Sequence, residues 1–412
     1  MKNFSKTVSK CQFSKKKDLK PIISLGYLPP VNQFNNISSP KSEMIFFPTD
    51  LVYSPSSKLV QLTTIVNKKI VFPNNYPYTS STTKILRENF TELYKECESL
   101  IKFDENDLIV DIGSNDGNLL SNFKSMKRLG ITPEKIGKIA IKRGIPTILK
   151  YFDKQTSLHI KKKFGQAKII TATNVFAHID NISNLMKNIL LLLKKDGVFI
   201  SESHYLLPLI KKVQYDTIYH EHLRYYSLSS LKNIFKKFDL KIFYAKEIST
   251  HGGSIRVYAC RKENFDYKEN INIKKLLKNE KKNLNWRKFQ KFKKEVISSK
   301  FNLINMLNKI KKKNKIIYGV GAPSRASTLI NYVGLSNETL DCICEIKNSH
   351  KIGYFLPGTN IPVVDEKIIF KKKPDYLLIL SWHISSELIL NLKKRGFKGK
   401  FIVPLPKPIV IN

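Results

Sequence analysis

The sequence predicts an α/β protein: a parallel sheet with helices on both faces, followed by a second, smaller α/β unit. Three observations predict it. Strand-like runs at Leu108–Ile112, Ile169–Thr173 and Gly197–Glu202 alternate with helical patterns. The first run enters a glycine turn, Asp111-Ile-Gly113-Ser-Asn-Asp-Gly117, with a helix predicted at once. Beyond a Lys- and Asn-rich stretch the alternation resumes at Lys315–Gly319.

In chain order, residues 1–75 are rich in Ser, Asn and Pro, with strand-like pieces at Met44–Phe47 and Leu59–Val66, and read as a small irregular module. Residues 76–262 form the central domain. Its opening helix spans Thr83–Leu100, because Ile85, Leu86, Phe90, Leu93 and Tyr94 recur at helical spacing. Residues 263–314 read as a charged helical connector, one long helix or two. Residues 315–412 supply strands at Lys315–Gly319, Leu340–Glu345 and Tyr376–Ser381 and a helix at Ser324–Tyr332. Pro404, Pro406 and Pro408 suit an extended tail.

Bulk composition excludes several function classes. The 412 residues carry 72 basic and 33 acidic side chains, a formal charge of +39. Only nine of the basic residues are Arg, and the lysines are spread through every segment beside abundant Ile and Asn. That pattern reads as compositional bias and a solvated surface, not a nucleic-acid footprint, where the planar Arg fork is favoured. The field still favours anionic small molecules. No apolar run approaches the ~18 residues of a membrane span. No signal peptide is evident, and five scattered cysteines give no disulfide framework, so a cytoplasmic location is expected. Oligomeric state is not legible.

Three segments carry chemistry. In the first, Gly113 and Gly117 allow close backbone approach to a ligand, with Asp111, Asn115 and Asp116 beside them; a tight turn without ligand is the plain alternative. The Asp-x-Gly-x-x-x-Gly spacing differs from the dinucleotide fingerprint and resembles motif I of class I methyltransferases. That resemblance implies S-adenosylmethionine as cofactor, with Asp111, Gly113, Asn115, Asp116 and Gly117 around it. Relatives carry an acid at the end of the next strand, where this chain has Thr132, and Glu134 stands two residues on as a substitute. Thr173-Asn-Val-Phe-Ala-His-Ile179 follows a strand and offers Asn174 as a cofactor contact; His178 there is either packing or a substrate contact. The third segment, Tyr215-Asp-Thr-Ile-Tyr-His-Glu-His-Leu-Arg-Tyr-Tyr-Ser227, holds two histidines, two acids and four tyrosines. An imidazole suits a base that removes a proton beside a carbonyl, with a neighbouring carboxylate to orient it. A polar interdomain loop and a metal site are the alternatives, the metal disfavoured because adjacent residues point different ways.

Together with His251-Gly-Gly-Ser-Ile-Arg256, Tyr318-Gly-Val-Gly-Ala-Pro-Ser-Arg325 and Phe355-Leu-Pro-Gly-Thr359, this segment resembles the sugar C-methyltransferases almost from end to end. The resemblance implies a class I methyltransferase Rossmann-like central domain, a small N-terminal module and a second Rossmann-like domain at the C-terminus. It implies methylation of a ring carbon of a nucleotide-linked 4-keto deoxy sugar, with His222 as base and Tyr219 and Glu221 beside it. Tyr76 or Tyr78 would cover the sugar, and His178, His251, Arg256, Arg325 and Asn331 would contact substrate. Family members begin with a zinc module of two Cys-x-x-Cys pairs. Here those positions read Cys11-Gln-Phe-Ser14 and Ser54-Pro-Ser-Ser57, so the lobe is expected to persist without metal. Other classes stay open: an oxygen or nitrogen methyltransferase of another anionic metabolite, or a non-catalytic binding protein on a decayed scaffold.

Overall fold

The computed structural model describes residues 4–39, 43–72 and 80–412. Its central sheet has seven strands: β1 Leu108–Ile112, β2 Lys127–Ile131, β3 Thr147–Ile148, β4 Ala167–Thr173, β5 Leu193–His204, β6 Leu240–Ile248 and β7 Ser254–Arg261. Their order is 3-2-1-4-5-7-6, parallel from β1 to β5, with β7 antiparallel to both neighbours. Every residue of β1 is buried, as expected for a strand covered on both faces. The period-2 alternation splits the core. Ile109, Ile169, Val198 and Ile200 cluster with Phe90, Leu93 and Cys97 of helix Lys84–Leu100. Val110, Ile170 and Phe199 cluster with Leu185, Met186 and Ile189 of helix Ile182–Leu192. Leu93 is fully buried, and truncating such a side chain to Ala costs about 2–5 kcal/mol.

The helix expected directly after Gly117 is absent. Leu120–Asn122 forms a single 3-10 turn, and the chain enters β2 at Lys127. The Ser121 hydroxyl donates to the Asn118 carbonyl (2.7 Å), and the Asn122 amide donates to the carbonyls of Asn118 (3.1 Å) and Leu119 (3.2 Å). These side chains take the acceptors that a continuing helix would use.

A four-stranded antiparallel sheet forms the N-terminal lobe, in the order Arg224–Tyr225, Leu59–Leu62, Phe47–Ser54, Lys20–Leu28. Its first strand comes from the histidine-rich segment, so the lobe is completed by the central domain. The strand expected at Met44–Phe47 begins only at Phe47. The fully buried Arg224 guanidinium fastens this junction: it donates to Gln12 Oε1 (2.8 Å), Tyr226 Oη (2.9 Å), and the Asp180 (3.1 Å) and Ile179 carbonyls.

Cys11, Ser14, Ser54 and Ser57 converge in this lobe. Cys11 Sγ lies 3.2 Å from Ser57 Oγ, which donates to Ser54 Oγ (3.0 Å), which donates to Asp18 Oδ1 (2.8 Å); the Ser14 amide donates to Cys11 Sγ (3.3 Å). Burial pushes the Cys11 thiol up, but hydrogen bonds from Ser14 and Ser57 outweigh it and hold the thiol below its ordinary range. Three hydroxyls and one thiol are a poor zinc donor set, and here the Ser57 and Ser54 hydroxyls already serve a relay ending on the Asp18 carboxylate.

Helices Ile271–Asn283 and Trp286–Lys311 follow. The second turns its lysines outward and buries Phe289, Phe292, Val296, Leu303 and Leu307 against Ile22, Leu25 and Leu51 of the N-terminal lobe and Ile330 beyond. The last sheet runs Val363–Asp365, Ile343–Glu345, Ile317–Val320, Tyr376–Ile379, Lys400–Val403, Ile409–Ile411, parallel except for the final strand. This is a second sheet whose strand order reverses beside its first strand. No described helix is long and apolar enough to cross a membrane.

Candidate active site

The central strand order reverses between β1 and β4, and in such sheets the crevice at the carboxyl ends of these strands takes the ligand. A cavity of about 1070 Å³ opens there, walled by all three parts of the chain. Gly113 has φ +76°, and a Cβ on it would lie 2.3 Å from Val175 Cγ2, so the loop comes as close to the next segment as glycine permits. The amides of Gly113 and Ser114 donate to the Ile131 carbonyl (2.8 and 3.1 Å). Asp111 is buried and accepts from the Thr171 hydroxyl (2.6 Å); burial nevertheless pushes its carboxyl up to about 7. At the end of β2 the Thr132 hydroxyl donates to Glu134, holding that carboxylate on the cavity wall. Asn174 closes the rim with φ +57°, and its amide nitrogen lies 3.4 Å from His251 Nε2.

Six of the chain's eight histidines line this cavity. His222 sits among them: its ring centroid is 4.4 Å from Tyr219, 5.2 Å from His178 and 6.3 Å from His204. His222 Nδ1 is 3.2 Å from the Thr217 carbonyl. A carbonyl only accepts, so Nδ1 carries the proton and Nε2 keeps its lone pair. Burial pushes His222 and His251 down to about 4 and His383 down to about 3, and drives His178 and His204 well below the ordinary imidazole range. The cavity therefore presents neutral imidazoles at neutral pH.

The three adjacent residues of the motif diverge. His220 points into the N-terminal lobe, donating from Nε2 to the Pro48 carbonyl (3.1 Å) beside the Thr49 hydroxyl (3.1 Å). Glu221 accepts from Asn32 Nδ2 (2.7 Å), and Asn32 Oδ1 in turn accepts from Ser324 Oγ (3.2 Å), so this carboxylate joins the lobe to the last domain. The group that orients His222 is thus the Thr217 carbonyl, where the sequence suggested a flanking acid. Among the described residues no group of three His, Cys, Asp or Glu side chains converges as metal ligands do.

Family models match most of the chain: one described as a "putative zinc binding domain" over residues 11–72, a methyltransferase domain over 85–245, and a C-methyltransferase C-terminal domain over 249–406. The curated C-methyltransferase NovU of Streptomyces niveus is 28% identical over 423 residues, spanning 100% of this chain and 99% of that one. The chain is an S-adenosylmethionine-dependent C-methyltransferase of class I type. Solved structures match far more loosely. An S-adenosylmethionine-dependent methyltransferase from Anabaena variabilis covers 43% of the chain at 17% identity and TM-score 0.34. A methyltransferase from Haloferax volcanii in complex with its Trm112 activator covers 42% at 13% and 0.34.

Within this C-methyltransferase, the remaining sequence-derived positions divide sharply. Asp111, Gly113, Asn115, Asn174, His178, Tyr219, Glu221, His222, His251 and Arg325 all line the cavity. Asp116 and Gly117 lie beneath the loop: the Asp116 carboxylate is fully buried against Ser80 Oγ (2.6 Å) and Arg143 Nη1 (3.4 Å), and Gly117 packs on Ala140 and Ile145. Arg256 is withdrawn from the cavity as well. Its guanidinium bonds Glu202 (3.0 Å), Glu96 (2.7 Å) and Asn89 Oδ1 (2.7 Å), tying helix Lys84–Leu100 to β5 and β7. Asn331 donates to the carbonyls of Ser327 (2.8 Å) and Pro357 (2.9 Å), fixing the loop after Phe355 and not a ligand wall. Tyr76 and Tyr78 lie outside the described residues. The sequence reading missed His204, His383, Glu345 and Lys351, all on the wall. His204 and Glu345 end strands, and His383 follows one, so strand-end placement was the available signal.

Proposed function

We propose that this C-methyltransferase methylates the carbon beside the ketone of a nucleotide-linked 4-keto deoxy sugar, with His222 as the base. The observation that carries the reading is a neutral imidazole with its lone pair on Nε2, set in the wall of the cavity that the glycine loop opens. The bound cofactor supplies a methyl group already activated by a positive sulfur. Gly113 and Asn115 would border its amino-acid end, Glu134 its ribose and Asn174 its rim, and a cradle that a Cβ would fill fits such a close approach. The ketone acidifies the neighbouring C–H; His222 Nε2 takes that proton and becomes an imidazolium, and the electron pair of the enolate would form the new carbon–carbon bond as the methyl–sulfur bond breaks, its electrons staying on the sulfur of a neutral thioether. Tyr219 and His178 flank the ring and hold it in one plane range.

An anionic acceptor also suits the electrostatics. Arg325 and Lys351 face the cavity from the last domain. A diphosphate entering beside His222 would favour the imidazolium and raise its pKa from about 4 towards neutrality, where a base works best. Full-length protein incubated with S-adenosylmethionine and a panel of nucleotide 4-keto deoxyhexoses in heavy water, read by mass spectrometry, tests the reading. The expected result is gain of one methyl, with solvent exchange at the α-carbon lost in His222→Ala. Methylation that survives His222→Ala would remove the carbon-acid step, and no methylation of any keto sugar would remove the substrate class.

A further inference from the structure

The group that fixes the tautomer of His222 is a backbone carbonyl, so whatever holds that carbonyl holds the base. Thr217 ends the 3-10 turn Tyr215–Thr217, and its carbonyl accepts from His222 Nδ1 (3.2 Å) and from the Tyr225 hydroxyl (3.2 Å). The residue before it, Asp216, is completely buried in a turn of the central domain, yet its partners come from the last domain. Trp382 Nε1 donates to Asp216 Oδ2 (2.7 Å) and Arg325 Nη2 donates to Oδ1 (3.1 Å). Arg325 Nε lies 2.8 Å from Oδ2 as an ion contact without the alignment of a hydrogen bond. The guanidinium also lies 5.0 Å from the Trp382 ring centroid and reaches Gln214 Oε1 (3.3 Å), while Gln214 Nε2 donates to the Gly252 carbonyl (2.8 Å) beside His251.

We propose that Asp216, Arg325 and Trp382 form a positioning clamp through which the second Rossmann-like domain sets the tautomer and orientation of the catalytic imidazole. The proposal rests on the reading of His222 as the base. A buried carboxylate gripped by an indole N–H and a guanidinium fixes the turn at three points, and rotation of the turn would carry the Thr217 carbonyl away from Nδ1. Without that acceptor the proton is free to move to Nε2, and the nitrogen facing the cavity then has no lone pair to offer. The arrangement makes the central domain's base dependent on the C-terminal domain, although neither Asp216 nor Trp382 lines the cavity.

The test uses the full-length protein with 15N-labelled histidine, the His222 signals being identified by their loss in His222→Gln. Wild type is expected to show a protonated Nδ1 and an unprotonated Nε2. Trp382→Phe keeps an aromatic ring but removes the donor together with the pyrrole half of the indole; Asp216→Asn keeps the shape and removes the charge. Both should shift His222 towards the Nε2–H tautomer and lower kcat by about 10- to 100-fold, the scale known for outer partners of metal-bound imidazoles. The KM for S-adenosylmethionine should stay within about twofold. If Asp216→Asn does not fold, Trp382→Phe decides alone. Folded clamp variants with the wild-type tautomer and wild-type kcat, alongside an inactive His222→Gln, overturn the clamp and leave the base standing. Full activity in His222→Gln overturns the base and the clamp's catalytic meaning with it.

Discussion

Replacing Gly113 by alanine perturbs the glycine loop, the proposed cofactor site, at the point where the structure leaves least room. The residue has φ +76°, and the added Cβ would lie 2.3 Å from Val175 Cγ2 and 3.3 Å from Val175 Cβ. A left-handed backbone costs an alanine about 1–2 kcal/mol, and forcing a methyl into packed space costs about 1–3 kcal/mol. Val175 cannot turn aside cheaply, because a β-branched side chain is stiff at χ1. The combined strain of roughly 2–5 kcal/mol must move the loop or Val175, and both line the cavity. Calorimetry should show S-adenosylmethionine binding weakened by about 10- to 100-fold, which is about 1.4–2.8 kcal/mol of that strain, with the rest appearing as a lower Tm. Gly117→Ala is the control. Its φ is +79° and its Cβ would meet Ala140 Cβ and Ile145 Cδ1 at 2.9 Å, away from the cavity. Comparable destabilisation is expected there, with cofactor affinity within about threefold. Equal loss of affinity in both variants, or normal binding in Gly113→Ala, would refute the reasoning.

Acid behaviour follows from the depressed histidines. With His222 as the proposed base its neutral form would be the active one, so kcat/KM should be flat at neutral pH and fall as pH drops through about 4, with the corresponding fall in kcat at higher pH if an anionic acceptor binds beside it; coincident limbs would count against an anionic acceptor. Stability has the same sign. His220, 2% exposed, has a folded pKa of about 4 against an ordinary 6.5, so the unfolded chain binds the proton more tightly and stability is lost as pH falls from 6.5 towards 4. On the order of 3 kcal/mol rides on that group, and chemical denaturation of His220→Gln should show a shallower acid loss. Arg256→Met strands Glu202 and Glu96 and should cost about 3–5 kcal/mol by urea unfolding, part of it recovered by adding Glu202→Gln. Replacing Ser14, Ser54 and Ser57 by Cys should create a site that retains stoichiometric zinc by elemental analysis, whereas the native serine relay should not.

How much of this was legible in the sequence depended on distance along the chain. Strands β1, β4 and β5 were read correctly because their apolar runs are continuous and their bounding turns are local. The glycine loop and the His222 segment were found for the same reason: each lies within about a dozen residues. The helix after Gly117 was misread because Ser121 and Asn122 bond to carbonyls of the preceding turn, a local competition that hydrophobic spacing does not register. Arg256 was assigned to substrate from its motif, and only the fold shows that a cation in the middle of β7 has Glu96 and Glu202 waiting for it.

The histidine cavity shows why the rest was hidden. His178 follows β4, His204 ends β5, His222 lies in the segment that completes the N-terminal lobe, His251 precedes β7 and His383 follows a strand of the last sheet. Each alone is an unremarkable imidazole at the end of a strand. Their convergence needs the 3-2-1-4-5 strand order, which brings the ends of β4 and β5 side by side, and then the docking of Trp382 and Arg325 onto Asp216. Burial in that junction is what holds the imidazoles neutral, and the same burial leaves the Thr217 carbonyl as the partner of His222 Nδ1. The chemistry proposed for His222 is therefore a property of the assembled junction: the motif supplies the imidazole, and residues far away in sequence decide which of its nitrogens keeps a lone pair.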